Sequence, residues 1–343
     1  MSKPKYLVVG RGIAGAMLSF RMMQRGLSHD IIDKPDLSAS SKIAAGLMNP
    51  VVLKRLRLVK DAENFLKEAP AFYQHLEKEL DSNFYHPTPI HHFFASAGEV
   101  NNWVERSEKP VFDQLLGPVI ESTNPLLPAE HGLGVLENCG WLDTEKFLAA
   151  HRAAFVVKGS LMEADVSLSQ LRQMRQEYQG IIICSGHLMR QMFREDESLV
   201  AVFTPTRGEV MTIYAKDLPE AAVLHGRVFI MPLGGHTFKV GATYHWDKLA
   251  DISSQDGLEQ LKAGLARLYK GSYEIIAHKG GVRPNIKDRK PILGELTEKG
   301  FFSFNGMGSR AVLMTPYLSN IFLQYLTEGQ PLPDIYNLQR FLK

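Results

Sequence analysis

Apolar and polar positions along the chain change rhythm more than once, and the changes divide it into segments. Near the start, the unbroken apolar runs Tyr6-Leu7-Val8-Val9 and Ile31-Ile32 predict strands covered on both faces, with a helical stretch between them ending at Arg25-Gly26. From Asp61 to Leu80 the apolar residues Phe65, Leu66, Ala69, Phe72, Tyr73, Leu76 and Leu80 recur every three or four positions. That spacing predicts a long amphipathic helix, broken or kinked near Pro70. A second helix is expected over Glu145–Phe155, capped by Asp143 or Thr144, and a short strand over Ser160–Met162. Gly180-Ile181-Ile182-Ile183 reads as a fully buried strand opening into Cys184-Ser185-Gly186-His187, as at the carboxyl edge of a parallel sheet.

Between Leu199 and Tyr244 the period falls to two and turns replace helices. Antiparallel strands are expected at Val200–Phe203, Gly208–Ile213, Arg227–Pro232 and Thr237–Tyr244. A helix over Gln255–Tyr269 and a strand over Tyr273–Arg283 return the chain to its first architecture. It ends with a strand at Phe301–Phe304, the loop Asn305-Gly306-Met307-Gly308-Ser309-Arg310-Ala311 and a long helix. The expected fold is an α/β Rossmann-like domain built from residues 1–83, 140–198 and 281–343. An α+β antiparallel-sheet domain, from residues 84–139 and 199–280, is inserted into it.

The first junction carries chemistry. Gly10 lets the chain turn off the strand, Gly12 leaves room for a pyrophosphate to approach the backbone, and Gly15 lets the next helix pack closely on the sheet. Free N–H groups in that helix's first turn then face the phosphates. Asp33, at the tip of the second strand, is placed to accept from a ribose diol. Glycine triplets alone are weak evidence, but strand, glycines, helix, strand and acid here fit the span of about 30 residues that a βαβ unit needs. The last junction repeats the pattern: a buried strand enters a glycine loop and then a helix, so two helix starts can address one anionic ligand.

Composition narrows the alternatives. Over 343 residues the hydrophobic share is 45%, the charged share 22% and the net charge +2, which points to no dedicated nucleic-acid or membrane surface. No run approaches the roughly 18 apolar residues of a membrane helix. Lys3 and Lys5 before an apolar stretch resemble a signal peptide, but Arg11 and three glycines interrupt the stretch, and a cytoplasmic protein is expected. Cys139 and Cys184 are isolated, which argues for a reducing compartment, and Cys184 reads as a small core residue. His86, His91 and His92 invite a metal, but adjacent histidines on a strand face opposite ways and no further ligand stands at metal spacing. Lys54, Arg55, Arg57 and Lys60 read as a solvated face. The segment Ala44-Ala45-Gly46 admits two readings, close backbone approach to something flat or a short helix closed by Gly46 and Pro50.

Dispersed motifs along the whole chain resemble the D-amino acid oxidase, glycine oxidase and sarcosine oxidase family of FAD-dependent oxidoreductases. They are Gly10-x-Gly12-x-x-Gly15 with Asp33, Ala44-Ala45-Gly46, Cys184-Ser185-Gly186, Arg207-Gly208-Glu209, Gly281-Val282-Arg283-Pro284 with Asp288, Pro291-Ile292-Leu293-Gly294, and Gly306-Met307-Gly308. Gly46-x-x-Asn49-Pro50 and Gly306-Met307-Gly308-Ser309-Arg310 look most like the FAD oxidase half of the bifunctional enzyme that modifies tRNA wobble uridine. The resemblance implies a glutathione-reductase-type FAD-binding domain and non-covalent FAD, since no cysteine after Cys184 is available for the thioether of the sarcosine oxidase branch.

It places the adenosine and pyrophosphate on Gly10, Gly12, Ile13, Ala14, Gly15, Asp33 and Lys34, with Ser185 and Gly186 beside them. The flavin falls near Ala45, Gly46, Leu47 and Met48, and Gly306, Met307, Gly308, Ser309, Arg310 and Ala311 face its pyrimidine end. Arg283 matches the arginine that holds the substrate carboxylate, unless it is an ion-pair partner of Asp288. Tyr244 shapes the substrate pocket, and Arg310, in the helix start that faces the flavin, is counted with Arg283 and Tyr244 as a catalytic residue. Lys239 is a weaker candidate for assisting oxygen, because residues five apart on one strand point to opposite faces. The implied reaction oxidises a C–N bond next to a carboxylate by hydride transfer to flavin N5, with hydrolysis of the imine. Oxygen or another acceptor then reoxidises the flavin. The alternatives are a tRNA-modification oxidase acting on a carboxymethylaminomethyl base and a flavin-binding protein without turnover.

Overall fold

The computed structural model describes residues 6–34, 40–246, 249 and 253–342. Lys3, Lys5 and most of the serine-rich loop after Lys34 lie outside the described residues.

The apolar runs of the sequence become the centre of a six-stranded sheet among the described residues. Its order is Leu161–Glu163, His29–Asp33, Tyr6–Val9, Gly180–Ile183, Phe301–Asn305 and Ile292–Glu295. All neighbours are parallel except the last pair. Alternation along Tyr6–Val9 explains the absence of polar positions. Tyr6 and Val8 join one core with the helices Ile13–Gln24, Ala62–Leu80 and Ala311–Glu328, while Leu7 and Val9 join a second core on the opposite face. From Tyr6–Val9 the chain steps outward to Leu161–Glu163, then returns to the other side at Gly180–Ile183. The carboxyl ends of Tyr6–Val9 and Gly180–Ile183 therefore diverge, and such a switch point opens a crevice.

The Ala62–Leu80 helix runs through Pro70 without a break. Pro70 removes one backbone donor, but Phe65, Ala69, Phe72, Tyr73 and Leu76 bury a continuous stripe, packed on Ala311–Glu328, that holds the turns on both sides. Ala311–Glu328 also contains a proline, Pro316, whose missing N–H leaves the Val312 carbonyl without its helical donor. The Tyr73 hydroxyl donates to that carbonyl at 2.6 Å.

The period-two segment supplies four strands of an eight-stranded sheet among the described residues, in the order Glu274–Arg283, Thr206–Tyr214, Thr237–Gly241, Phe229–Gly234, Val223–His225, Ile90–Phe93, Leu133–Leu136 and Leu116–Ile120. A three-stranded sheet of Leu47–Met48, Gly140–Leu142 and Tyr85–Pro87 lies beside it in the chain's path.

Two strand expectations fail. Val200–Phe203 is no strand: Glu197–Val200 is a helical turn whose cap, the Asp196 carboxylate, accepts the Leu199 N–H at 3.0 Å. Short apolar runs fit either state, and the cap decides this one. The last antiparallel strand stops at Gly241, so Tyr244 is not on the strand of Lys239 and strand alternation does not relate the two.

Candidate active site

At the switch point the sequence forces close backbone contacts. Gly10 sits at φ +96°, and a β-carbon on it would lie 2.9 Å from the Cys184 carbonyl oxygen. A β-carbon on Gly15 would lie 1.9 Å from the Gly10 carbonyl oxygen, so only glycine lets the helix start against the strand end. Asp33 reaches across this turn. Its Oδ1 accepts the Arg11 N–H at 2.8 Å, and its Oδ2 stands 3.6 Å from the Arg11 guanidinium, which also donates to the Leu148 carbonyl at 2.7 Å. Burial pushes the Asp33 carboxyl above its ordinary pKa, while the Arg11 N–H and charge pull it down. Ser41 Oγ accepts the Ile13 N–H at 3.1 Å. The N–H groups of Gly12 and Ala14 have no acceptor among the described residues.

The second junction meets the first. Asn305, at the end of its strand, donates from Nδ2 to the Gly186 carbonyl at 3.0 Å and accepts the Gly306 N–H at 2.7 Å. Gly308–Arg310 is a tight 3-10 turn, and the long helix begins only at Ala311, one turn later than the loop's glycines suggest. The N–H groups of Gly308 and Ser309 have no acceptor among the described residues. Gly12 and Gly308, 296 positions apart, line one cavity of about 990 Å³ together with Ser185, whose buried Oγ has no hydrogen-bond partner among the described residues.

One wall of that cavity is cationic. Arg283 ends the Glu274–Arg283 strand opposite Thr206, and its guanidinium lies over the Tyr244 ring, 4.4 Å from the centroid. Both of its terminal nitrogens donate to the Thr243 carbonyl at 3.3 Å. Asp288 is not its partner: Arg340 holds that carboxylate at 2.9 Å. Among the described residues, no carboxylate pairs with Arg283 or Arg310. Burial lowers the pKa of both guanidiniums, and the Tyr244 hydroxyl is the titratable group that opposes the shift in each. Asn285 donates to Thr206 Oγ1 at 2.7 Å and stands 3.5 Å from the Tyr244 hydroxyl.

Of the residues expected at the site, Gly10, Gly12, Ile13, Ala14, Asp33, Lys34, Ala45, Gly46, Leu47, Ser185, Gly186, Met307, Gly308, Ser309, Arg310, Ala311, Arg283 and Tyr244 line the cavity. Gly15 does not, because its place is the helix–strand contact just described. Met48 is buried in the core, and Gly306, at φ +78°, packs on Ile286 and Ile292. Gly46, at φ +72°, faces the backbone of Gly140–Leu142, where a β-carbon would lie 2.0 Å from the Leu142 carbonyl oxygen. Lys239 donates to the Ala44 carbonyl at 3.2 Å and is not part of the lining.

Sequence reasoning missed Gly208, Ser41 and Asn285. Gly208 stood in a quoted motif, and its reason is now visible: a β-carbon there would lie 2.0 Å from the Arg283 guanidinium. Its neighbours have a different job, since buried Glu209 pairs with Arg207 and His278, both at 2.8 Å.

The residues present fit FAD. Free amide groups at two helix starts, an unpartnered serine hydroxyl and a cavity of dinucleotide size supply what a diphosphate-linked flavin requires. A family model described as FAD dependent oxidoreductase matches residues 5–324. The chain is 22% identical over 391 residues to the tRNA 5-methylaminomethyl-2-thiouridine biosynthesis bifunctional protein MnmC of Leptospira interrogans, covering 95% of this chain and 58% of the relative. It therefore spans less than two thirds of that relative. Its fold is similar to glycine oxidase from Geobacillus kaustophilus (TM-score 0.79, 18% identity, 98% of this chain and 97% of the other). It is also similar to iminodiacetate oxidase from Chelativorans sp. BNC1 (TM-score 0.77, 18% identity, 98% of each chain). No described helix is long and apolar enough to cross a membrane.

Proposed function

The chain belongs to the family of FAD dependent oxidoreductases, and from that premise we propose that it oxidises the C–N bond of an amine bearing a carboxylate. The observation that carries this reading is Arg283, a half-buried guanidinium on the cavity wall with no carboxylate partner among the described residues. A planar fork of donors without an anionic partner is a seat for one, and a carboxylate fits it with two parallel hydrogen bonds. Glycine and iminodiacetate, which give two structural neighbours their names, both carry an amine and a carboxylate.

In this reading Gly12, Ala14 and Ser185 hold the diphosphate and Asp33 the ribose. Gly308 to Ala311 face the flavin with the positive end of a helix. Bound FAD supplies the two-electron acceptor for the substrate's C–N bond. Arg283 fixes the carboxylate, Tyr244 supports the guanidinium from beneath, and the apolar lining keeps the amine neutral and dry. With that acceptor bound, the substrate's C–N bond would be oxidised by loss of a hydride and of a proton to solvent, and water would hydrolyse the resulting imine to a carbonyl acid and an amine.

The test is anaerobic titration of the yellow holoprotein with amino acids and N-alkylglycines, followed by bleaching of the visible band. Arg283→Ala is expected to retain FAD and to weaken half-saturation by a carboxylated amine by roughly a hundredfold, the scale of a lost charge-assisted pair. Unchanged half-saturation removes Arg283 from the role.

A second reading has its own observation. MnmC aligns over nearly the whole chain, and a carboxymethylaminomethyl base is itself an N-alkylglycine, so Arg283 serves it equally. Binding of tRNA that weakens steeply with salt favours this reading over a free small molecule.

A further inference from the structure

Arg283 is not alone on its wall. Four other partly or fully buried arginines pair with carboxylates, Arg11 with Asp33, Arg21 with Glu68, Arg207 with Glu209 and Arg340 with Asp288, while Arg175, outside the cavity lining, donates to the Tyr178 carbonyl. Arg310 resembles Arg283 instead. It lines the same cavity, is withdrawn from solvent, and no carboxylate among the described residues meets it. Arg283 lies over the Tyr244 ring, Asn285 Nδ2 stands 3.5 Å from the Tyr244 hydroxyl, and a β-carbon on Gly308, two residues before Arg310, would lie 2.8 Å from Asn285 Oδ1, so the loop of Arg310 and the strand end of Arg283 border one region of the cavity. The acidic lining residues do not compensate them. Asp33 is engaged by Arg11, Asp165 by Lys34 at 2.7 Å, and Glu195 is exposed.

A guanidinium withdrawn from water without a counter-charge is unfavourable unless the occupant brings one. A single carboxylate neutralises one guanidinium and leaves the other buried and uncompensated. We propose that the substrate is a dianion, an amine flanked by two acidic groups, with Arg283 holding one and Arg310 the other. This rests on the carboxylated-amine reading above and sharpens it.

The holoenzyme is titrated with two thioethers that have no C–N bond to oxidise, thiodiacetate and (methylthio)acetate, following the perturbation of the flavin absorbance. The two ligands differ by one carboxylate. Wild-type protein is expected to bind thiodiacetate about tenfold or more tightly than (methylthio)acetate, the effect of one charge-assisted pair. Arg310→Met is expected to bring that ratio close to one, and Arg310→Lys, which keeps the charge but not the fork, to keep a ratio of about three. Where Arg310→Met fails to retain FAD, the wild-type and Arg310→Lys ratios decide. Equal affinities in the wild type, or a ratio that Arg310→Met leaves unchanged, overturn the proposal and assign Arg310 to the flavin instead. Failure of both thioethers to perturb the flavin overturns it too. The carboxylated-amine reading then stands or falls separately, on whether N-alkylglycines bleach the cofactor.

Discussion

A glycine can be required by a side chain 75 positions away. Gly208 is flat because the Arg283 guanidinium occupies the space where its β-carbon would stand, 2.0 Å from the nearest nitrogen. The atom in the way is the far end of a flexible side chain, so Gly208→Ala is expected to fold and to keep FAD while expelling Arg283 from its seat. Flavin titration with a carboxylate ligand should then show affinity reduced about tenfold, with thermal stability within a few degrees of wild type. Loss of cofactor at unchanged ligand affinity is the contrary result. At this scale the sequence was legible in types and opaque in partners. The glycine triplet and Asp33 could be picked out by spacing and Arg283 by its resemblance to a family motif, but whether Arg283 meets an acid could not. Asp288, five residues away, goes to Arg340 across 52 positions, and chain distance gives no hint of that.

Elements depend on one another in the same way. Pro316 leaves the Val312 carbonyl without its helical donor, and Tyr73, on a different helix, supplies the missing hydrogen bond. Tyr73→Phe therefore strands a buried carbonyl and is expected to cost about 1–3 kcal/mol in urea unfolding. A loss below a few tenths of a kcal/mol means that the carbonyl finds another donor. The rhythm of the chain announced five strands of the six-stranded sheet and the long helices because burial on one or both faces sets the period. It failed at Val200–Phe203, where Asp196 caps a turn, and at Tyr244, beyond the end of its strand at Gly241, because caps and strand ends depend on single contacts rather than on a period.

The whole molecule carries a pH signature. Burial lowers the pKa of His29, His86, His91, His92, His151 and His225, with His225 brought down to about 3 beside His92. A histidine held neutral in the fold but free to charge when unfolded makes the unfolded state bind more protons below its ordinary value of about 6.5. Stability is then fully present above that pH and declines as pH falls toward the folded value. His151 and His225 are the most enclosed of the six, and each adds a slope approaching about 1.4 kcal/mol per pH unit. Urea midpoints measured from pH 7 to pH 5 should fall accordingly, and His225→Gln should flatten the fall; a midpoint independent of pH contradicts this account. The architecture was legible at this scale because strand order follows from buried runs and crossovers, whereas the shape of the cavity had to be seen. That cavity joins Gly12 to Gly308, and Arg25, at the C-cap of the first helix, reaches Asn320 and Glu328 in the last. A ribosome that has delivered everything up to residue 300 has therefore made only half of a phosphate cradle. In the proposed reading, tight retention of the coenzyme waits for synthesis of the closing helix Ala311–Glu328, so uptake of colour by a growing polypeptide reports that this helix has been made.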